Sequence, residues 1–321
     1  LLILSETELA SMSFDAHALV DALDAAFRCG PEQSITGLKA QTPGIDGGVF
    51  QALPAVLANE RRASLKWISV AGGECAGPRI RTTTLFSDAV TGETLALMSS
   101  SRLTAIRTAA MSALAARHLW HADPARMASG NLSIGFLGCG VQALAHLDMF
   151  ASLYPQIRTV LAHAPSSGER FAEQARARGF NAYAERDAAR VIREADLVIS
   201  SVPMRAGQLA PHYDATMLKP TAFASFVDLG RPWIPLDLDT RQPVFTDYVV
   251  QSDSLVRQGK MKFVARFAGD LYTLARGEHC LADGQAAIYV FGGLGMCDTV
   301  ISQIAYRQAL SSGIGTHVEI A

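Results

Sequence analysis

Residues 132–146 read LSIGFLGCGVQALAH. A short apolar run, Leu132, Ile134, Phe136 and Leu137, ends in Gly138-Cys139-Gly140. A helix-compatible Gln142-Ala143-Leu144-Ala145 follows. The spacing Gly138-x-Gly140-x-x-Ala143 is a dinucleotide-binding pattern. The first glycine makes the tight turn, the second lets the backbone approach a pyrophosphate, and the third small residue lets helix and strand pack closely. Val141 and Gln142 open the helix, whose N-terminus offers N–H groups and partial positive charge to phosphates. A purely structural turn needs the glycines but not the strand, the helix and Ala143 as well.

The end of the next strand bears on which dinucleotide. An NAD site usually carries Asp or Glu there to hold the ribose hydroxyls. Here Thr159-Val160-Leu161-Ala162 ends at His163, and Ala164, Pro165, Ser166, Ser167 and Arg170 follow. No acid opposes a 2′-phosphate, and two hydroxyls with an arginine suit one. NADP is the expected cofactor, with NAD held without the acid as the alternative. Ser201 and Val202, after another apolar strand, stand where a nicotinamide pocket would be lined.

The elements that position these residues need a large core. The chain has 321 residues, enough for about two domains, and 49% are hydrophobic against 18% charged. A net charge of -2 gives no electrostatic case for nucleic acid. No apolar run approaches the ~20 residues of a membrane helix, and the opening LLILSETELASMS lacks the basic leader and long apolar core of a signal peptide. Cys29, Cys75, Cys139, Cys280 and Cys297 are scattered, with no C-x-x-C, and read as reduced thiols of a cytoplasmic protein. His118 and His121 form a His-x-x-His pair without Cys or acidic partners, so no metal site is expected.

Three regions differ in texture. Residues 1–121 open with Ser5 as a helix N-cap and Leu19, Val20, Leu23, Ala26 and Phe27 at helical spacing. Strands are expected at 48–53, 63–70, 81–87 and 93–98, with a hairpin turn over 88–92, and a helix over 101–119. Residues 122–294 alternate strand and helix, the signature of a parallel sheet. Strands are expected at 132–137, 159–163, 197–202, 222–227 and 244–250, and helices at 142–152, 168–178 and 187–194. Residues 295–310 are helical again and return, within 295–321, to the first domain. The fold class is α/β: a Rossmann-type parallel-sheet domain over 122–294 plus a split α+β domain, with the first region and the C-terminal helix as its dimer surface.

Several pieces together resemble the ornithine cyclodeaminase/mu-crystallin family: LPAV (53–56), SLKWISV (64–70), LFSDAVTGETLALM (85–98), LTAIRTAAMSALAA (103–116), FLGCGVQALAHL (136–147) and IYVFGGLGMCDTVISQIAY (288–306). They run in family order over nearly the whole chain. The resemblance implies a homodimer with a Rossmann domain and a split substrate domain, acting on amino acids or cyclic imines. It implies roles for Lys66 and Arg107 in holding a substrate carboxylate. That suits their chemistry: an arginine fork binds a carboxylate bidentately and a lysine adds a point charge. It also puts Asp228, after an apolar strand, at the position of the family's catalytic aspartate. Asp298 matches a further family aspartate.

Departures narrow the reading. Gln51 stands where cyclodeaminases carry a glutamate, and a neutral amide suits a second substrate amine less well. Lys39 is only a loose match to an upstream family arginine. Arg79 and Arg81 are extra cations, either surface charge or readers of a second acidic group. The expected function is an NAD(P)-dependent oxidoreductase of a small amino acid or cyclic imino acid, with Lys66 and Asp228 catalytic. The alternatives are a cyclodeaminase with internally recycled NAD and a non-catalytic NADP-dependent binding protein.

Overall fold

A computed structural model describes all residues except 38, 75, 204–209, 237–241, 280–285 and 320–321. The chain begins with β1 (Leu2–Leu4), α1 (Glu6–Ser11), α2 (Ala16–Arg28), β2 (Ser34–Thr36), β3 (Ala40–Pro43), β4 (Val49–Leu57), β5 (Arg62–Val70), β6 (Ile80–Asp88), β7 (Thr94–Ser99) and α3 (Ser101–Leu119). Then come α4 (Pro124–Ser129), β8 (Leu132–Leu137), α5 (Val141–Leu153), β9 (Ile157–His163), α6 (Gly168–Ala177), β10 (Asn181–Ala184), α7 (Ala188–Glu194), β11 (Leu197–Ser200) and β12 (Phe223–Phe226). The last part holds β13 (Val244–Thr246), α8 (Val249–Arg257), β14 (Gly269–Asp270), α9 (Leu271–Ala275), β15 (Ala287–Val290), α10 (Gly295–Ser312) and β16 (Thr316–His317). Two compact units result: Leu1–Arg107 with Gly293–Ala321, and Thr108–Gly292. The division falls inside α3, whereas the sequence texture places it at 121/122.

The first unit is a mixed sheet in the order β16-β1-β7-β6-β5-β4-β2, with β3 also paired to β4. Alternation along β4 and β5 sorts the side chains onto two faces. Leu53, Ala55, Ser64 and Lys66 turn inward, and α10 packs on β4, β5 and β6 and against α2. Most of α10 is therefore buried within the unit. The opposite sheet face carries Ile35, Phe50, Leu65, Trp67 and Leu85, all exposed, with the rings of Phe50 and Trp67 stacked at 5.6 Å. Ser5 caps α1 through a reciprocal capping box with Glu8. At the β6–β7 turn the Asp88 carboxylate accepts the N–H groups of Val90 and Thr91.

The second unit is a parallel sheet in the order β10-β9-β8-β11-β12-β15-β13-β14. Its first five strands follow the doubly wound 3-2-1-4-5 order, whose switch point lies between β8 and β11. Every residue of β8, β11, β12 and β15 is buried, as expected where helices cover both faces. No described helix is long and apolar enough to cross a membrane.

Two expected elements change. The strand over 244–250 is instead β13 followed by α8. Asp247 accepts from the N–H of Tyr248 and from Thr246 and Ser252, which ends the strand despite the β-branched Val249-Val250. The strand expected over 197–202 stops at Ser200, because the N–H of Val202 turns to a side chain described below. The elements β1, β2, β3, α4, β10, β14, α9, β15 and β16 have no counterpart in the sequence reading. One tight contact is testable: a Cβ on Gly135 of β8 would meet Val191 Cγ1 at 2.6 Å and Ala195 Cβ at 2.9 Å on the α7 side. Gly135→Ala should cost about 1–3 kcal/mol through overpacking. An unchanged urea midpoint would contradict this packing.

Candidate functional site

In the second unit the glycine turn has the shape a dinucleotide needs. Gly138 lies at φ 85°, and a Cβ there would come within 2.8 Å of the Ser201 carbonyl oxygen. Only glycine suits that position. A Cβ on Gly140 would meet nothing within 4 Å, so the backbone there faces open space. Gly140 caps α5 without a side-chain bond, leaving the first-turn N–H groups without an intrahelical acceptor. Gln142 Oε1 is buried and meets no donor among the described residues. An open cradle of unspent donors fits a pyrophosphate. Cys139, at the apex, is buried, and burial pushes its thiol up to about 12.

Helix α5 is fixed from behind by a polar chain inside the same unit. His146 Nδ1 lies 2.7 Å from the Gln142 carbonyl, so it carries the proton and donates. Its Nε2 then accepts from Ser112 Oγ at 2.9 Å, and Ser112 takes the hydroxyl of Ser225 at 2.8 Å. Burial lowers His146 to about 4, which keeps this chain neutral.

At the ends of β9 and β11 the expected cofactor residues divide. His163 Nδ1 donates to the Glu185 carbonyl at 3.0 Å. Ser167 is the N-cap of α6 with no side-chain cap bond, and Ser166 and Arg170 are exposed beside it. Glu185, just after β10, was not singled out in the sequence; besides its carbonyl bond to His163, its carboxylate is engaged by Arg190 at 3.1 Å. Ser201 donates from Oγ to the Gly138 carbonyl at 3.1 Å, so it braces the turn. Tyr213 was also missed; its ring meets His163 edge-on at 6.4 Å. Isolated in a loop, it carries no periodicity that would signal burial.

Asp228 closes β12. Its Oδ2 accepts from Ser200 Oγ at 2.5 Å and from the Val202 N–H at 3.1 Å, and its Oδ1 accepts the Gly230 N–H at 3.1 Å. Trp233 Nε1 donates in turn to Ser200 Oγ at 2.9 Å. Burial raises the Asp228 carboxyl above its ordinary range, opposed by these hydrogen bonds and by Arg231. The next residue, Leu229, sits at φ 63°, a left-handed conformation that costs a non-glycine residue about 1–2 kcal/mol. A protonatable carboxyl is thus held on a strained turn at the carboxyl edge of the sheet. Ser200 and Trp233 were not foreseen; a lone serine ending a buried strand is the only signal they leave.

In the first unit Lys66, Arg107 and Asp298 meet. Lys66 Nζ lies 2.7 Å and Arg107 Nε 2.9 Å from the same oxygen, Asp298 Oδ1. Lys66 comes from β5, Arg107 from α3 and Asp298 from the first turn of α10. All three are buried, with Lys66 at 0% exposure. Desolvation lowers Lys66 to about 7, helped by the Arg107 charge and opposed by Asp298; Lys39 adds a smaller lowering effect. With Lys66 protonated, two buried cations share one carboxylate oxygen, and burial makes such charges costly unless they are partnered. Gly293 packs against the guanidinium: a Cβ there would lie 3.0 Å from Arg107 Nη1.

Other sequence candidates fall around or away from this cluster. Gln51 lies on the Lys66 face of the sheet, opposite Ile68, with its amide 3.4 Å from Gln41 Oε1. Arg79 donates to the carbonyls of Ala71 and Gly72 and so holds its own loop. Arg81 pairs with Ser69 on the Trp67 face, opposite to Lys66. Neither arginine joins the cluster. Cys75 and Cys280 lie outside the described residues.

Alanine dehydrogenase of Archaeoglobus fulgidus is 26% identical to this chain over 99% of it and 98% of the relative. Among solved structures, an archaeal alanine dehydrogenase dimer with bound NAD superposes with a TM-score of 0.83 at 22% identity, covering 100% of this chain and 99% of that one. The Thermococcus litoralis Delta(1)-pyrroline-2-carboxylate reductase, in complex with NADH and L-proline, gives 0.82 at 21% identity over 99% and 100%. The model of the ornithine cyclodeaminase/mu-crystallin family matches residues 3–313, and the chain belongs to that family.

Proposed function

We propose that the protein is an NAD(P)-dependent oxidoreductase that reduces a small α-imino or cyclic imino acid to the amino acid, or runs that reaction backwards. The observation that carries this reading is the buried Lys66–Asp298–Arg107 cluster, in which an ammonium and a guanidinium meet on one carboxylate oxygen. Arg107 and Lys66 hold the substrate carboxylate, the guanidinium as a fork and the ammonium as a point charge. Gln51, on the same sheet face, offers a neutral amide, which disfavours a substrate with a second amine. Reduction of a C=N bond takes a hydride at carbon and a proton at nitrogen. A bound nicotinamide supplies the hydride. Asp228, raised by burial, and Lys66, lowered toward neutrality, are the groups assigned to proton transfer. Relatives described as an alanine dehydrogenase and a pyrroline-2-carboxylate reductase support this substrate class.

The same reading gives the cofactor residues Gly138, Gly140, Val141, Gln142, His163, Ser166, Ser167, Arg170, Ser201 and Val202, with NADP preferred. Unbonded Ser167 and exposed Arg170 support a 2′-phosphate, and Glu185 is already engaged by Arg190. The protein is further read as a cytoplasmic homodimer. Cys29, Cys139 and Cys297 form no disulfide, and a second copy would cover the apolar face around Trp67.

Three measurements test these points. NADPH should bind more tightly than NADH in fluorescence titration, and Arg170→Ala should weaken NADPH about tenfold and NADH far less; equal affinities in the parent protein overturn the preference. For the carboxylate clamp, Arg107→Lys should raise the substrate KM at least about tenfold, roughly 1.4 kcal/mol, with cofactor affinity little changed. KM should also rise as pH climbs through about 7, because Lys66 loses its proton there and with it one positive charge beside the substrate carboxylate. A KM indifferent to both changes removes the clamp. For assembly, light scattering at micromolar concentration should give twice the 34.3 kDa chain mass, and Trp67→Asp should give the monomer. A parent protein at the single-chain mass rules the dimer out.

A further inference from the structure

A carboxylate that merely balances two cations has two oxygens to share between them. In this cluster it does not share. Lys66 Nζ and Arg107 Nε both crowd onto Asp298 Oδ1, at 2.7 and 2.9 Å. Asp298 Oδ2 is buried and meets no donor among the described residues, although the side chain is only 3% exposed. A buried charged oxygen without a donor is costly. The neighbouring hydroxyls cannot relieve it without breaking their own pairing: Ser64 and Thr299 bond each other at 2.8 Å, and Thr299 also reaches the Gly295 carbonyl at 3.3 Å. The cluster therefore presents two positive groups and, beside them, one unspent negative acceptor.

We propose that Asp298 is a substrate-recognition residue whose Oδ2 accepts an N–H from the α-amino or imino nitrogen, so that the site selects nitrogen-bearing acids over nitrogen-free acids of the same shape. The inference rests on the reading that Arg107 and Lys66 hold the substrate carboxylate. An amino or iminium acid carries its negative and positive groups on adjacent carbons. Facing Arg107 and Lys66 with its carboxylate, it brings its N–H groups beside the carboxylate that those cations share. The two charge pairs then oppose each other, and every buried charge has a partner. A 2-hydroxy acid fills the cation half but brings only a weaker neutral donor to Oδ2. A cycloalkane acid brings none.

The test uses cofactor-loaded protein and matched ligand pairs: L-proline with cyclopentanecarboxylate, L-alanine with L-lactate, and L-glutamate with L-2-hydroxyglutarate. Titration calorimetry should show the nitrogen-bearing member binding at least about tenfold more tightly in whichever pair binds. Asp298→Asn removes the charge but keeps the size. It should weaken that member by about tenfold or more while changing its nitrogen-free analogue by less than about threefold. Parallel losses in both members make Asp298 a counter-ion only and overturn the proposal; so does no loss in either. Cofactor affinity of the variant reports whether it folds. Should it not fold, equal affinities within a pair in the parent protein still overturn the proposal. The underlying carboxylate reading fails separately, if none of the six acids binds or if Arg107→Lys leaves both members of a pair unaffected.

Discussion

One carboxylate oxygen, Asp298 Oδ1, ties together a strand, the start of a long helix and the start of the C-terminal helix. Its two partners are an ammonium taken fully out of water and a guanidinium that is nearly so. Such an arrangement is poor engineering for stability alone, since buried ions rarely recover their desolvation cost, and apolar residues of similar size often serve better. It becomes intelligible if the two cations serve to hold an acid, as proposed above. Much of the first unit brings the three groups together: the inward alternation of β5 delivers Lys66, the burial of α10 delivers Asp298, and a glycine at 293 leaves room for the guanidinium.

The second unit solves the opposite problem, how to keep one carboxyl able to hold a proton. Asp228 is buried enough to favour the neutral form, yet it takes three hydrogen bonds that favour the ion. Those bonds also join the ends of two neighbouring strands, so its position is set by β11 as much as by its own strand. The strained Leu229 fits this picture. Its side chain packs on the core of the unit, and that packing offsets a backbone conformation it would not otherwise adopt.

The sequence is most legible where a residue's role is local. The strand-turn-helix at 132–146, the helix over 101–119 and the Ser5 cap are set by spacing and capping chemistry within a few residues. Lys66 and Arg107 could be named because each is a charge in apolar surroundings and matches a family motif. What was hidden is long-range. Asp298 lies 232 positions from Lys66, and nothing in either neighbourhood says that they share an atom. Ser200 and Trp233 support Asp228 from other segments. Val249-Val250 misled because β-branched residues suggest a strand, whereas the preceding Asp247 had already satisfied the backbone donor that would continue it.

The thiol at the apex of the glycine turn has a consequence for chemical durability. Only the thiolate reacts readily with peroxides, disulfides or alkylating agents. With its pKa pushed to about 12, Cys139 holds a thiolate fraction on the order of 10⁻⁵ at neutral pH. The turn therefore carries a cysteine at its apex, yet burial keeps that sulfur in its unreactive protonated form. Oxidative damage to this protein should begin elsewhere.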